Sequence, residues 1–267
     1  MASGPTISAN LMEAERLINI AVEHAAKLVV LPENFSFMGV VEEDKLRVAE
    51  VDGIGPVQDF LANQASKHGI CLVGGTIPLT SNNPKLIRAA CLMFDSSGRR
   101  LARYDKMHLF DANLEESNEQ YAESQTIEPG NEVCCVDTSF GRLGLAVCYD
   151  LRFPEQFRQM AESGIDIILL PSAFTAVTGK AHWQHLVCAR AIENLCYLIA
   201  PNQGGYHING RESYGHSMIV DPWGGIVDCL ASGSGVVVAE VDHSVIARVR
   251  KNFPVLEHRR LGCQLPV

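Results

Sequence analysis

Four residues able to take part in acyl-transfer chemistry stand where apolar runs stop. Glu33 follows Leu31-Pro32, Cys148 follows Ala146-Val147, Ser172 follows Leu170-Pro171, and Lys106 comes just after a run ending at Tyr104. A thiol, a carboxylate and an ammonium are the parts of a nucleophile, a proton carrier and an oxyanion partner. A cysteine near its ordinary pKa of about 8.5 is mostly protonated at neutral pH, so it needs a base or a neighbouring cation. The chain has nine histidines, yet none stands in a Cys–His signature of the protease kind. A carboxylate base with a lysine is the alternative.

The elements around these residues account for their placement. Cys148 lies in Gly144-Leu145-Ala146-Val147-Cys148-Tyr149-Asp150-Leu151-Arg152-Phe153-Pro154-Glu155, between a strand and a helix that starts near Pro154. Such an elbow lifts a nucleophile clear of a sheet and aims backbone N–H groups at its reaction partner. The competing reading is a buried, inert cysteine. That reading is taken for Cys71, Cys91, Cys134, Cys135, Cys188, Cys196, Cys229 and Cys263. For Cys148 both remain open, because Asp150 and Arg152 supply a charged flank.

Apolar residues recur at helical spacing from Ser8 to Ala25, with Ser8 or Asn10 available as a cap. Leu28–Leu31 then reads as a strand buried on both faces. Pro56 and Gly69 bracket a second helix, and Ile70–Gly74 a second strand. Ala89–Phe94 and Arg99–Tyr104 flank the turn formers Asp95-Ser96-Ser97-Gly98, which predicts an antiparallel hairpin. Leu143–Val147 and Ile165–Leu170 are further strands, with a helix over Pro154–Ser163 closed by Gly164. A longer helix is expected over Ala181–Cys196 and a late strand over Val236–Val241. The mixture of βα units and hairpins predicts an α/β sandwich with helices outside the sheets. The absence of a linker, repeat or low-complexity tract predicts a single domain over residues 1–267.

Composition narrows the function. A formal net charge of −9 over 267 residues argues against a nucleic-acid partner, which needs a basic face. Nine cysteines without a CxxC pair fit a reducing cytoplasm better than a disulfide framework. No membrane partner is expected, because the apolar runs are too short to span a bilayer. No metal or cofactor is expected either. His182 and His185 can share a helical face, but no third ligand has a convincing spacing.

Three segments together resemble the nitrilase superfamily of carbon–nitrogen hydrolases: Leu31-Pro32-Glu33-Asn34-Phe35, Tyr104-Asp105-Lys106-Met107-His108-Leu109-Phe110-Asp111, and the Cys148–Glu155 stretch. The resemblance runs from about Gly4 to Leu261. It implies a four-layer αββα sandwich of two mixed sheets, a catalytic Glu33-Lys106-Cys148 triad and a homodimer or larger assembly. It also implies a fourth catalytic residue, Glu123, supporting the lysine, where the residues alone suggest a solvated acidic stretch with Glu115, Glu116 and Glu119. Ser172-Ala173-Phe174, Thr178–Trp183, Ala189–Glu193 and Tyr214–Met218 resemble the deaminated-glutathione amidase and ω-amidase branch, and Phe253–Arg260 leans toward the former. The implied reaction is hydrolysis of a small carboxylated amide through a Cys148 thioester, with Tyr149, Arg152, Phe174 and Thr175 as substrate-binding residues. Arg152 could pair with a substrate carboxylate or form an ordinary helix-start ion pair. The triad alone does not separate an amidase from a nitrile hydrolase, a carbamoylase or an acyl transferase, and an idle scaffold of the same fold is a further alternative. Family members usually open with a short strand ending in Gln-Met, and this sequence starts at that Met, so the first strand is expected to be missing.

Overall fold

The computed structural model describes residues 1–115 and 119–262; Glu116 and Cys263, singled out above, lie outside the described residues. Helix α1 (Ile7–Glu23) buries the stripe Ala14, Leu17, Ile18 and Ala21. Its N-cap is Thr6, not Ser8 or Asn10. Asn10 sits within the first turns, where its amide donates to the Gly4 carbonyl at 2.7 Å and its Oδ1 accepts from the Gly4 N–H at 2.9 Å. It therefore ties the preceding chain to the helix instead of capping it.

Strand β1 (Leu28–Val30), the short helix α2 (Asp44–Arg47), helix α3 (Pro56–His68) and strand β2 (Cys71–Val73) follow. Helix α3 starts on Pro56 and is ended by Gly69 in the left-handed conformation, where a residue without Cβ meets no steric penalty. Strands β3 (Ile77–Thr80), β4 (Ile87–Phe94) and β5 (Arg100–Asp105) complete the first sheet, ordered β1-β2-β4-β3 with β5 also on β4. The expected hairpin is present: Cys91 faces Tyr104, and Asp95 Oδ1 accepts from the Ser97 and Arg99 backbones at the turn.

A two-stranded ribbon, β6 (Asp111–Leu114) with β7 (Glu119–Ala122), leads to the second sheet. This is built from β8 (Cys134–Thr138), β9 (Gly141–Leu145), helix α4 (Pro154–Glu162) and β10 (Ile167–Leu169). After the single turn α5 (Ala176–Thr178) come helix α6 (Gln184–Asn194), β11 (Tyr197–Ala200), the hairpin β12 (Gly204–Tyr206) with β13 (Glu212–Tyr214), β14 (Ser217–Val220), β15 (Ile226–Leu230) and helix α7 (His243–Asn252). The order is β15-β14-β11-β10-β9-β8, with β9, β10 and β11 parallel. The helix expected over Ala181–Cys196 is broken into a π turn, Gly179–Trp183, followed by α6.

Side chains divide between layers with the strand period of two. Cys71, Val73, Cys91 and Met93 share one core with Leu143, Leu145, Ile167 and Leu169 of the second sheet. Leu72, Ala90, Leu92 and Phe94 point the other way, joining Leu17 and Ile18 of α1 and Leu61 and Ala65 of α3. Phe157 and Met160 of α4 and Val187 and Ala191 of α6 cover the second sheet. The result is the αββα sandwich of two mixed sheets. Each fully buried Leu, Ile, Val or Phe contributes about 1.5–3 kcal/mol.

Val236–Val241, expected as a strand, belongs to no strand. It borders a cavity of about 680 Å³ that is also lined by Met1, β1, Ile199 and Ile219. Among the described residues, strand β1 pairs only with β2, and its other edge runs along this slot. The apolar alternation of Val236–Val241 suits a sheet, but a strand needs a partner to receive its hydrogen bonds. Among the described residues, no helix is long and apolar enough to cross a membrane.

Candidate active site

Cys148 opens a 3-10 turn, Cys148–Arg152, just past β9. Its backbone has φ +47°, a left-handed conformation that costs a residue with a side chain roughly 1–2 kcal/mol. The surroundings hold it there. Cys148 N–H donates to the Pro171 carbonyl at 2.9 Å, and Val147 N–H to Asp150 Oδ2 at 2.8 Å. Asp150 has no exposed surface. Its Oδ2 also accepts from the Tyr104 hydroxyl at 2.6 Å, and its Oδ1 from the His108 backbone N–H at 3.0 Å, with His108 Nδ1 2.7 Å away. Burial and the Asp150 charge push the Tyr104 phenol well up, so it stays a donor.

Lys106 leaves β5 with its backbone N–H on the Ala89 carbonyl. Its ammonium, 1% exposed, lies 2.8 Å from Glu33 Oε1 and 2.8 and 3.0 Å from the two oxygens of Glu123. Glu123 starts the 3-10 turn after β7, and its Oε2 accepts from the Phe110 N–H at 2.8 Å. Glu33 is fixed through its neighbours: Gln203 Nε2 donates to the Glu33 carbonyl at 3.0 Å, and Asn34 N–H donates to Thr76 Oγ1 at 2.9 Å. Gly75, at φ +51°, lets the end of β2 pass the Leu31-Pro32 backbone, because a Cβ there would lie 1.9 Å from the Pro32 carbonyl oxygen.

Burial pulls the Lys106 ammonium down, but Glu123 and Glu33 outweigh it and hold its pKa well above the ordinary value. It is a permanent cation. Burial raises the Cys148 thiol well above its usual range, and the Glu33 charge adds to this, whereas Lys106 and the Ala173 backbone N–H act the other way. The nucleophile is thus held toward its protonated, neutral form. It must therefore lose its proton as it attacks, and the Glu33 carboxylate shares its pocket.

Glu33, Lys106, Glu123 and Cys148 line one pocket with Tyr149, Arg152, Phe174 and Thr175. Arg152 lies over the Tyr149 and Phe174 rings, its Cζ 5.7 and 5.4 Å from their centroids, and its Nη1 is 3.3 Å from His182 Nδ1. Among the described residues it has no carboxylate partner, so it is not the helix-start ion pair. Phe174 is positioned by its N–H on Asn202 Oδ1, at 2.9 Å. Thr175 caps α5 with its hydroxyl, which turns its side chain toward Thr178. Ser172 is fully buried and donates to the Leu170 carbonyl, so it is a structural residue.

Burial pushes up the other thiols, Cys71 and Cys134 to about 11 and Cys196 to about 12. Among the described residues, no three His, Cys, Asp or Glu side chains are grouped to hold a metal ion. Among the pocket residues that escaped sequence reasoning are Glu42, Lys45 and Arg211. Glu42 and Lys45 at i,i+3 look like any surface helix pair, and Arg211 stands 169 residues away from Glu42 in a polar turn. The role of Asp150 was legible only as a charge beside the nucleophile.

The carbon-nitrogen hydrolase family model matches residues 2–251. The deaminated glutathione amidase of Synechocystis is 43% identical over 97% of this chain and 95% of its own length. The omega-amidase NIT3 of Saccharomyces cerevisiae is 36% identical over 97% of this chain and 90% of its own. Among solved structures, the Caenorhabditis elegans NitFhit protein superposes with a TM-score of 0.90 at 37% identity, over 97% of this chain and 63% of that longer one.

Proposed function

The chain belongs to the carbon–nitrogen hydrolase family and is an amide-hydrolysing enzyme, and from that premise we propose that it cleaves a small carboxylated amide, deaminated glutathione in preference to an ω-amide of an α-keto acid. The observation that carries this reading is the Lys106 ammonium held between Glu33 and Glu123 beside an elbow cysteine, in a pocket that also presents Arg152, which has no carboxylate partner among the described residues. The identity to a deaminated glutathione amidase supports the first substrate, and the identity to an omega-amidase supports the second.

In the proposed reaction, the Cys148 sulfur attacks the amide carbonyl while its proton passes to Glu33. The carbonyl oxygen becomes an oxyanion facing Lys106 and the Tyr149 backbone N–H. The carbon–nitrogen bond then breaks as Glu33 returns the proton to the nitrogen, and the amine departs. A thioester remains on Cys148. Glu33 next takes a proton from water as the water oxygen attacks the thioester, and the free acid leaves with the thiol restored. Glu123 acts through Lys106 and is a positioning residue. Arg152, backed by the Tyr149 and Phe174 rings, takes a substrate carboxylate, and Thr175 shapes the wall beside it.

We take residues 1–267 as one domain. The same reading places the chain in the cytoplasm as a homodimer or larger homo-oligomer; the free state of the described cysteines supports a reducing compartment.

The test is release of the α-keto dicarboxylic acid from deaminated glutathione and from α-ketoglutaramate, with Cys148→Ala as control. Release from the first that vanishes in Cys148→Ala is the expected result. Full turnover by Cys148→Ala, or no turnover of either compound by the folded chain, overturns the reading.

A further inference from the structure

Two carboxylates that line the pocket, Glu42 and Glu212, are not engaged with Lys106, and Glu42 is the one that meets two cations. Glu42 lies on the loop before α2, and each of its oxygens holds a different cation. Oε2 is 3.1 Å from Lys45 Nζ, and Oε1 accepts from Arg211 Nη1 at 2.8 Å. All three side chains line the same cavity as Cys148. Arg211 stands on the turn between β12 and β13, its guanidinium 4.2 Å from the Tyr121 ring centroid and its Nη2 on the Gln120 carbonyl at 3.2 Å. A second bond ties the same two loops: Asn209 Nδ2 donates to the Gly39 carbonyl at 3.2 Å.

The charges are permanent. Lys45, first among the causes, holds the Glu42 carboxyl down at about 2. Burial pulls Lys45 down, but Glu42 and Glu123 outweigh it, so its ammonium stays charged. Glu42 contacts both cations directly, while Glu123 and Glu33 act on Lys45 from farther off. Lys45 is only 9% exposed, and burying a charge costs several kcal/mol, which an ordinary surface ion pair of about 0–1 kcal/mol would not justify. An arginine and a lysine converging on one carboxylate is the arrangement that recognises carboxylate ligands. The space left in this cavity is about 80 Å³, well short of the few hundred Å³ of ordinary ligand sites. A substrate of any size must displace something, and Glu42 is the charged group that bridges the two loops.

We propose that Lys45 and Arg211 form a second anion subsite, and that Glu42 is a built-in stand-in for the carboxylate it receives. The distal carboxylate of an amide bearing two carboxylates replaces Glu42 between the two cations, and Glu42 turns out toward solvent as the loops part. This rests on the substrate reading above and narrows it: the enzyme selects two-carboxylate amides such as deaminated glutathione over one-carboxylate amides such as α-ketoglutaramate. Arg152 serves the carboxylate that both compounds share, and Arg211 with Lys45 the one that only the first carries.

Binding and turnover separate the two claims. Turnover by the unsubstituted chain reads the substrate assignment. The subsite is read by calorimetric titration of Cys148→Ala with both compounds, alone and combined with Arg211→Gln, Arg211→Lys or Glu42→Gln, each checked for an intact melting transition. Arg211→Gln weakens deaminated glutathione by about tenfold or more, the worth of a charge-assisted hydrogen bond, and leaves α-ketoglutaramate within about twofold. Arg211→Lys falls between, keeping the charge without the fork. Glu42→Gln tightens deaminated glutathione, because a neutral amide competes less well for two cations. Equal weakening of both compounds by Arg211→Gln, or weaker binding of deaminated glutathione by Glu42→Gln, overturns the inference. Turnover of deaminated glutathione that depends on Cys148 would leave the substrate assignment standing in either case.

Discussion

Replacing Glu123 by Gln removes one of the two charges that hold Lys106 while keeping the shape of the side chain. The carboxylate now accepts from Lys106 Nζ with both oxygens, at 2.8 and 3.0 Å, and from the Phe110 N–H. Gln offers one oxygen and one NH2 group, so the NH2 group faces the ammonium in either orientation, and in one of them the Phe110 N–H as well. A unit-charge pair at about 4 Å is worth about 4 kcal/mol at an effective dielectric of 20. Most of that does not reach the barrier. Proton transfer moves negative charge from Glu33 to the sulfur, and a neutral residue 123 makes the first harder to protonate and the second easier to ionise. The two effects oppose each other. What remains is position, because Lys106, left with Glu33 alone, is drawn toward it and away from the developing oxyanion. The expected loss is that of one oxyanion donor, about 10²–10³ in kcat, with KM little changed. Two readouts separate this from a structural effect. One is the split between kcat, which falls, and KM, which does not; the other is Glu123→Asp, which restores charge without reach and recovers only part of kcat. A Glu123→Gln enzyme with kcat within about fivefold of the original would refute the argument.

Asp150→Asn places an amide nitrogen among donors and should cost about 3 kcal/mol, seen as a melting temperature lower by about 6–12 °C in a chain of this length; kcat should fall with it, since Asp150 holds the Val147–Cys148 elbow. Glu42, at about 2 in the folded chain against an ordinary 4.5, contributes stability that is present above pH 4.5 and lost as pH falls toward 2. That contribution is at most about 3 kcal/mol, so urea midpoints compared at pH 6 and pH 3 should fall less in Glu42→Gln than in the unsubstituted chain. Met1 lines the slot beside β1, so an added N-terminal segment of alternating apolar residues should enter it and raise the melting temperature by about 2–4 °C for each kcal/mol gained; an unchanged transition would show that the slot takes no strand.

The parts of this fold that were legible in the sequence are those whose causes are local. Pro56 and Gly69 bound a helix because one lacks an N–H that the first turn does not need and the other tolerates positive φ. Leu28–Leu31, Leu143–Val147 and Ile167–Leu170 carry no polar side chain because helices or a second sheet cover both faces of their strands. The same logic placed Glu33, Lys106 and Cys148 at strand ends, and the fold gathers those ends into one pocket. Where the cause is a distant partner, local reading fails in two opposite ways. Val236–Val241 has the pattern of a strand and forms none, because pattern selects a face but only a neighbouring edge supplies hydrogen bonds. Glu123 and Glu42 have the setting of solvated charges, yet each is engaged in the pocket, because Lys106 and Arg211 reach them across 17 and 169 residues of chain. An acidic residue in a polar stretch carries no mark of the cation it will meet. Resemblance supplied Glu123, since family motifs store the outcome of folding, but no quoted motif covered Glu42, Lys45 or Arg211. Specificity is set where two loops meet, and such meetings are the least local feature of the chain. Chemistry common to a family is therefore legible early, whereas the choice among its substrates is written in contacts that only the folded chain brings together.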